Sequence, residues 1–248
     1  MEKSNKKQRL DLLLVERNLA SSRSKAQALI MGGVVYVDGQ KVDKSGTMLK
    51  YDADIIVKEK SIKYVSRGGL KLESALSNFN IDVTKNCALD IGASTGGFTD
   101  CLLQNGAAKV YALDVGYGQL DWKLRNDDRV VVMEKVNARH LKPDDIAEMV
   151  DIIVIDVSFI SLTMIIPAVL QFLKPKGYLI ALIKPQFEVG KGEVGKGGIV
   201  KDENKHKQVI EKVTQHLVEL KLDVLGVIQS PILGAEGNKE FLVAASNN

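Results

Sequence analysis

The residues from Asp90 to Asp100, Asp-Ile-Gly-Ala-Ser-Thr-Gly-Gly-Phe-Thr-Asp, follow an apolar run (Cys87–Asp90) and carry glycines at 92, 96 and 97. Glycines in such a turn let the backbone pass close to a ligand and enter a helix without Cβ clashes. The spacing Gly92-x-x-x-Gly96-Gly97 departs from the Gly-x-Gly-x-x-Gly of a dinucleotide site. An acid ahead of the first glycine suits a ligand whose amino-acid end carries an ammonium, which is the chemistry of S-adenosylmethionine. Asp90, Gly92, Ser94, Thr95, Gly96, Gly97 and Phe98 are the candidate cofactor residues of this turn, with Phe98 also readable as helix packing. Val110–Asp114 ends a second apolar run with an acid, 24 residues beyond Asp90. An acid there can hold both ribose hydroxyls of a nucleoside, and Val115 lies beside it. Asp156 ends a further run. Lys184 follows five apolar residues and precedes Pro185, where a solubility charge is a poor explanation. The stretch Gly190–Gly197 comes within one residue of a phosphate-binding Gly-x4-Gly-Lys-Ser/Thr loop, but Gly197 stands where the hydroxyl belongs and no helix follows directly. A mobile basic flap over the site is the better reading.

These residues need a scaffold that gathers strand ends. Beyond residue 66, apolar runs and helical patterns alternate, as in a doubly wound parallel sheet. Strands are predicted at 87–92, 109–115, 130–136, 151–157, 178–184, 223–230 and 240–245. Helices are predicted near 70–79, 96–104, 161–173 and 203–220. Ligands of such sheets bind beyond the carboxyl ends of the strands, so Asp90, Asp114, Asp156 and Lys184 should converge on one crevice. The fold class is α/β: a Rossmann-like, seven-stranded, S-adenosylmethionine-dependent methyltransferase domain behind a small α+β domain. In the small domain, Leu10–Leu19 and Ala26–Ile30 suggest two short helices, the second capped by Ser21 or Ser22. Val34–Val37, Asp38-Gly39 and Gln40–Val42 form a hairpin signal, because Asp-Gly supplies the positive φ angles of a tight turn. Residues 1–65 carry 13 Lys/Arg against 8 Asp/Glu, whereas the rest of the chain carries 21 against 23. A basic module on a near-neutral body points to a polyanionic partner for the module.

Arg9-Leu-Asp11, Ser22-Arg-Ser-Lys-Ala26 and Gly33-Val-Val-Tyr-Val-Asp-Gly39 resemble the S4-type RNA-binding domain. Ser66-Arg-Gly-Gly-Leu-Lys-Leu72, the 90–100 turn, Asp156-Val-Ser-Phe-Ile-Ser161 and Lys184-Pro-Gln-Phe-Glu-Val-Gly-Lys191 resemble the TlyA family over nearly the whole chain. Members of that family are ribosomal-RNA 2′-O-methyltransferases related to the FtsJ group, which implies S-adenosylmethionine as cofactor and ribosomal RNA as partner. The resemblance carries a Lys-Asp-Lys-Glu tetrad onto Lys71, Asp156, Lys184 and Glu240. It places Arg9, Arg23, Lys25, Lys41 and Arg67 on RNA, and it implies a cytidine target on the small subunit, the large subunit or both. The implied division is a flexible basic N-terminus at 1–8, an S4-like domain at 9–60, a linker at 61–66 and the methyltransferase domain at 67–248. A ribose 2′-hydroxyl is a weak nucleophile, so a base at hydrogen-bond distance helps its attack on a sulfonium methyl. Lys184 is the candidate base, oriented by Asp156, with Lys71 and Glu240 positioning the ribose. The base role needs the Lys184 ammonium to shed its proton, which a nearby Lys71 and a cationic sulfonium favour and which Asp156 and Glu240 oppose while holding both ammonium groups in place.

With 45% hydrophobic and 26% charged residues, the composition is that of a globular protein. The polar first residues lack an apolar segment behind them and no run is long enough to span a bilayer, so a cytoplasmic protein is expected; the oligomeric state is left open, with a monomer favoured. Cys87 and Cys101 fall in a predicted strand and helix and read as core thiols. His140, His206 and His216 do not cluster with other ligands, so no metal is expected. Trp122 reads as a stacking residue or as packing, and Lys123, Arg125 and Arg129 as an extension of the phosphate track or as solvated charges. The rival readings are an RNA-binding ribosome-assembly factor on a methyltransferase scaffold and, with less support, a haemolytic, membrane-active protein.

Overall fold

The computed structural model describes residues 7–31, 33–57, 63–190, 192–234 and 237–247. The chain divides into two compact units, Met1–Ile62 and Lys63–Asn248. In the first, β1 (Lys7–Arg9) leads into α1 (Leu10–Glu16) and α2 (Arg23–Met31). β2 (Val35–Val37), β3 (Gln40–Lys41), β4 (Met48–Lys50) and β5 (Ile55–Val57) follow. The hairpin forms as its residues require: Asp38 and Gly39 take φ of 50° and 78° between β2 and β3. β5 completes a three-stranded sheet on the other side of β2, and β1 pairs antiparallel with β4. Leu10, Leu13, Leu14, Ala26, Ile30 and Val35 are the fully buried centre. The expected basic N-terminus at 1–8 therefore needs correction at Lys7 and Gln8, which pair with Lys50 and Leu49. Residues 1–6, and Ser61 and Ile62 of the expected linker, lie outside the described residues.

The second unit is built on one seven-stranded sheet. In chain order its elements are α3 (Gly68–Asn78), β6 (Cys87–Ile91), α4 (Gly97–Gln104), β7 (Lys109–Asp114), α5 (Trp122–Arg125), β8 (Val130–Glu134) and β9 (Val150–Ile155). Then come α6 (Leu162–Val169), β10 (Leu173–Ile183), α7 (Pro185–Glu188), α8 (Glu203–Glu219), β11 (Leu222–Gln229) and β12 (Phe241–Asn247). The strand order is β11-β12-β10-β9-β6-β7-β8, with β12 antiparallel to both its neighbours. Central parallel strands are covered on both faces, so they read as continuous apolar runs. All of β6 is buried, and β9 sends Ile153 and Ile155 to one core and Ile152 and Val154 to the other. α3, α4 and α5 pack on one face, and α6 and α8 on the opposite one. The chain leaves β6 toward β7 and returns to β9 on the other side, so the sheet has its switch point between β6 and β9. A crevice must open there above the carboxyl ends of both strands.

Candidate active site

Gly92 ends β6 with φ of 85°, and a Cβ there would collide with the main-chain oxygen of Asp156 at the end of β9. The two strand ends can meet so closely only because residue 92 lacks a side chain. Gly92→Ala combines a strained φ with a backbone clash, so it should cost about 1–3 kcal/mol of stability and deform the crevice floor. Thermal unfolding with a cofactor titration would measure both effects. Gly97, by contrast, lets Ser66 and the start of α3 lie against α4, and Gly96 (φ 95°) admits Leu120 and Leu124.

Above these ends lies a crevice with two lobes of about 380 and 400 Å³ that share Gly92, Ser94, Asp156 and Ser158. The first lobe is walled by Ser66, Arg67, Lys71, Thr95, Phe98 and Lys184. The second is more apolar and is walled by Leu113, Asp114, Val115, Asn137, Phe159 and Ile165, among others. Asp114 accepts the main-chain N–H of Ser94 at 2.8 Å and that of Gly116 at 2.7 Å. Its carboxylate thereby ties the glycine turn to the end of β7 while still facing the second lobe.

Four charged groups meet at the first lobe as two pairs. Lys184, which precedes α7, lies 2.6 Å from Asp156 Oδ1 and donates to Ser158 Oγ at 2.9 Å. The contact to Asp156 is an ion pair poorly aligned for a hydrogen bond, since Oδ1 otherwise lacks a partner. Lys71, one turn into α3, donates to Glu240 Oε2 at 2.5 Å, and both side chains are largely buried. Glu240 lines neither lobe; it stands behind Lys71 in a space that Gly234 leaves open. Both ammonium groups are thus held by a carboxylate each. Two residues before Glu240, buried Asn238 donates to the Gly198 carbonyl and accepts from the Val200 N–H, each at 2.9 Å. This fastens the end of the glycine-rich flap beside the Lys71–Glu240 pair. Lys191 lies outside the described residues.

Of the cofactor residues expected from the sequence, Gly92, Ser94, Thr95, Gly97, Phe98, Asp114, Val115 and Asp156 line the crevice. Asp90 and Gly96 do not. Side chains alternate along a strand, so Asp90 shares the face of Ala88 and points beneath α4, where Oδ2 accepts the Thr99 hydroxyl at 2.6 Å. Fully buried and with Oδ1 unpartnered, its carboxyl is pushed up to about 7 by desolvation, then by the charges of Asp156 and Asp114, against the Thr99 hydrogen bond. Trp122 is 78% exposed, in neither core nor crevice. Lys123, Arg125 and Arg129 pair with Asp100, Glu134 and Asp127 instead of forming an open basic track. Sequence reasoning missed Asn137, Arg139, Ser158 and Phe159 as walls. Asn137 and Ser158 follow predicted strand ends, so the rule that placed Asp114 and Asp156 also reaches them. In the first unit, Arg9 and Arg23 both bind Asp11, and Lys25 and Lys41 are exposed. Among the described residues no group of His, Cys, Asp or Glu is arranged to hold a metal ion, and no helix is long and apolar enough to cross a membrane.

The model of FtsJ-like methyltransferases matches residues 64–247, all but the two end residues of the unit that carries this crevice. The chain belongs to the FtsJ-like methyltransferase family. An S4 domain matches residues 8–56 ahead of it. The methyltransferase is 49% identical over 241 residues to a candidate rRNA methyltransferase, YqxC, of Bacillus subtilis (97% of this chain, 86% of the relative). It is 46% identical over 236 residues to the 16S/23S rRNA (cytidine-2′-O)-methyltransferase TlyA of Mycobacterium tuberculosis (95% of this chain, 88% of the relative). Among solved structures, a candidate hemolysin from Streptococcus thermophilus superposes with a TM-score of 0.77 at 45% identity, over 98% of this chain and 89% of that one.

Proposed function

We propose that this methyltransferase moves a methyl group from S-adenosylmethionine to a ribose 2′-hydroxyl of ribosomal RNA, with cytidine as target. The observation that carries the reading is the meeting of Lys71–Glu240 and Lys184–Asp156 at one lobe of a crevice whose other lobe presents Asp114. The residues fit the cofactor. The turn at Gly92 is a backbone cradle that a side chain would fill, Asp114 offers carboxylate oxygens to a diol, and Leu113 and Ile165 give an apolar wall for a purine. When bound, S-adenosylmethionine supplies an electrophilic methyl on a sulfonium.

The chain's own residues do the rest. Lys184, entering the step as the free amine, accepts the proton of the ribose 2′-hydroxyl and becomes the ammonium that Asp156 pairs with, while Asp156 and Ser158 keep its Nζ aimed at the first lobe. Lys71, held by Glu240, hydrogen-bonds the ribose and fixes the attacking oxygen, and placement is the larger part of catalysis in an in-line displacement. Arg67, at the rim of that lobe and bonded to the Leu233 carbonyl, faces the RNA backbone. The S4 domain supplies sequence-independent phosphate contacts that hold the substrate. The relatives named as rRNA methyltransferases support this reading, and it places the protein with ribosomes in the cytoplasm.

Incubation with methyl-labelled cofactor and unmethylated ribosomal subunits should put label on RNA. Transfer to neither subunit nor to protein-free rRNA would refute the proposal. Asp114→Ala should raise the cofactor Kd by about 10-fold or more, since it removes a charged acceptor from two hydroxyls. Calorimetric titration reads that change directly.

A further inference from the structure

Among the described residues of the S4 domain, Asp11 is the most completely enclosed charge. It sits in the first turn of α1 with its side chain fully buried, yet no apolar packing explains its presence there. Four donors converge on it. Arg9 gives Nε to Oδ1 at 3.0 Å and Nη2 to Oδ2 at 2.9 Å. Arg23 gives Nε at 3.1 Å and Gln27 gives Nε2 at 3.0 Å, both to Oδ2. The Arg9 hydrogen bond is the main reason its acid is held well below the usual carboxylate range.

The two arginines are not enclosed with it. Their side chains are 40% and 55% exposed, so each presents a guanidinium edge to solvent. Arg9 binds through its Nε/Nη2 edge, which leaves the Nη1 end. Arg23 binds through Nε, which leaves its Nη1/Nη2 fork for another acceptor. A rigid guanidinium fork matches two phosphate oxygens. Two guanidiniums on one carboxylate still carry a net positive charge, and Lys25, in the same first turn of α2, is exposed.

We propose that Asp11 is a positioning residue for RNA: it assembles Arg9 and Arg23 into one preformed clamp for the phosphodiester backbone. The inference rests on the reading of ribosomal RNA as substrate and adds a carboxylate to the binding machinery. Without Asp11 the guanidiniums repel each other, and every RNA contact must first order them. The plain alternative is a buried ion cluster that only ties α1 to α2.

The two differ in sign. Asp11→Asn removes a negative charge from a basic module, so charge alone predicts tighter RNA binding. The clamp predicts weaker binding, by about 10-fold, to deproteinised 16S or 23S rRNA in a filter or anisotropy assay with the full chain. Arg23→Lys leaves the bonds of Asp11 to Arg9 and Gln27 and keeps the charge, so it decides the matter even if Asp11→Asn unfolds the domain. It should bind several-fold more weakly, with the salt slope retained. Arg23→Gln should lower the slope of log K against log salt by about 0.7–0.9, the value of one lost phosphate contact. Folded Asp11→Asn that binds as well as or better than wild type, or Arg23→Lys and Arg23→Gln that bind like wild type, overturns the clamp. Methyl transfer by wild type to the same RNA separates the two failures. If wild type transfers methyl and the variants bind equally, the clamp alone is wrong; if wild type neither binds nor transfers, the RNA reading falls with it.

Discussion

Lys184→Ala should lower single-turnover methyl transfer at saturating RNA by about 10²–10⁴-fold, the usual contribution of a positioned general base. Lys184 is the lysine whose carboxylate and hydroxyl partners, Asp156 and Ser158, both line the crevice. Its loss removes the proton acceptor while leaving the glycine turn and Asp114 in place. Cofactor and RNA affinities should therefore move little, and the effect should fall on the chemical step. Rapid-quench transfer of labelled methyl, with binding measured separately, checks this division. An unchanged single-turnover rate would remove Lys184 from the mechanism.

Asp90→Asn should stabilise the protein above neutral pH and do little in acid. The buried carboxyl is raised to about 7 by desolvation, against about 3.9 in an unfolded chain. The native state thus binds its proton more tightly than the unfolded state does. Stability falls as pH rises from about 4 to about 7, then stays level with respect to this group. Three pK units correspond to an upper bound of about 4 kcal/mol, which the amide, unable to ionise, recovers. The Thr99 hydroxyl can still donate to the amide oxygen. Urea unfolding of both proteins at pH 5 and pH 8 should show a gap that opens with pH. A constant gap, or a variant weaker at pH 8, would contradict the assignment of the raised value to burial.

Much of the fold was legible because parallel strands leave a plain mark. The runs ending at Ile91, Asp114 and Ile155 are apolar without alternation and are punctuated by acid or glycine, and the strands lie within a residue or two of where they were read. β10 was harder. Lys174-Pro-Lys-Gly177 has the composition of a turn, yet β10 already begins at Leu173 and absorbs these residues as a bulge, with Lys176 at φ 62°. The helix read at 161–173 accordingly ends at Val169, followed by a tighter turn at Leu170–Phe172. β1 and β4 span three residues each, too few for a periodic signal.

At the site, residue type at a strand end was informative, but the facing of a single residue was not. Asp90 and Asp114 both close apolar runs. Only the pleat decides that Asp90 turns beneath α4 while Asp114 faces the crevice. Trp122 joins neither core nor crevice for a related reason: the four residues of α5 are set by Leu124 packing over Gly96, which leaves the indole outside. Asp11 stands in the sequence only as the end of Arg9-Leu10-Asp11, because Arg23 and Gln27 are brought to it by another helix.

The most direct test of the central claim is the position of the transferred methyl. RNA labelled by the enzyme should be digested in alkali, which cleaves each phosphodiester through the adjacent 2′-oxygen. A methyl on that oxygen blocks the cut, so the account predicts that the label survives in an alkali-stable dinucleotide and that Lys184→Ala gives none. Label recovered in mononucleotides would place the methyl on a base and contradict ribose 2′-O-methylation by this crevice.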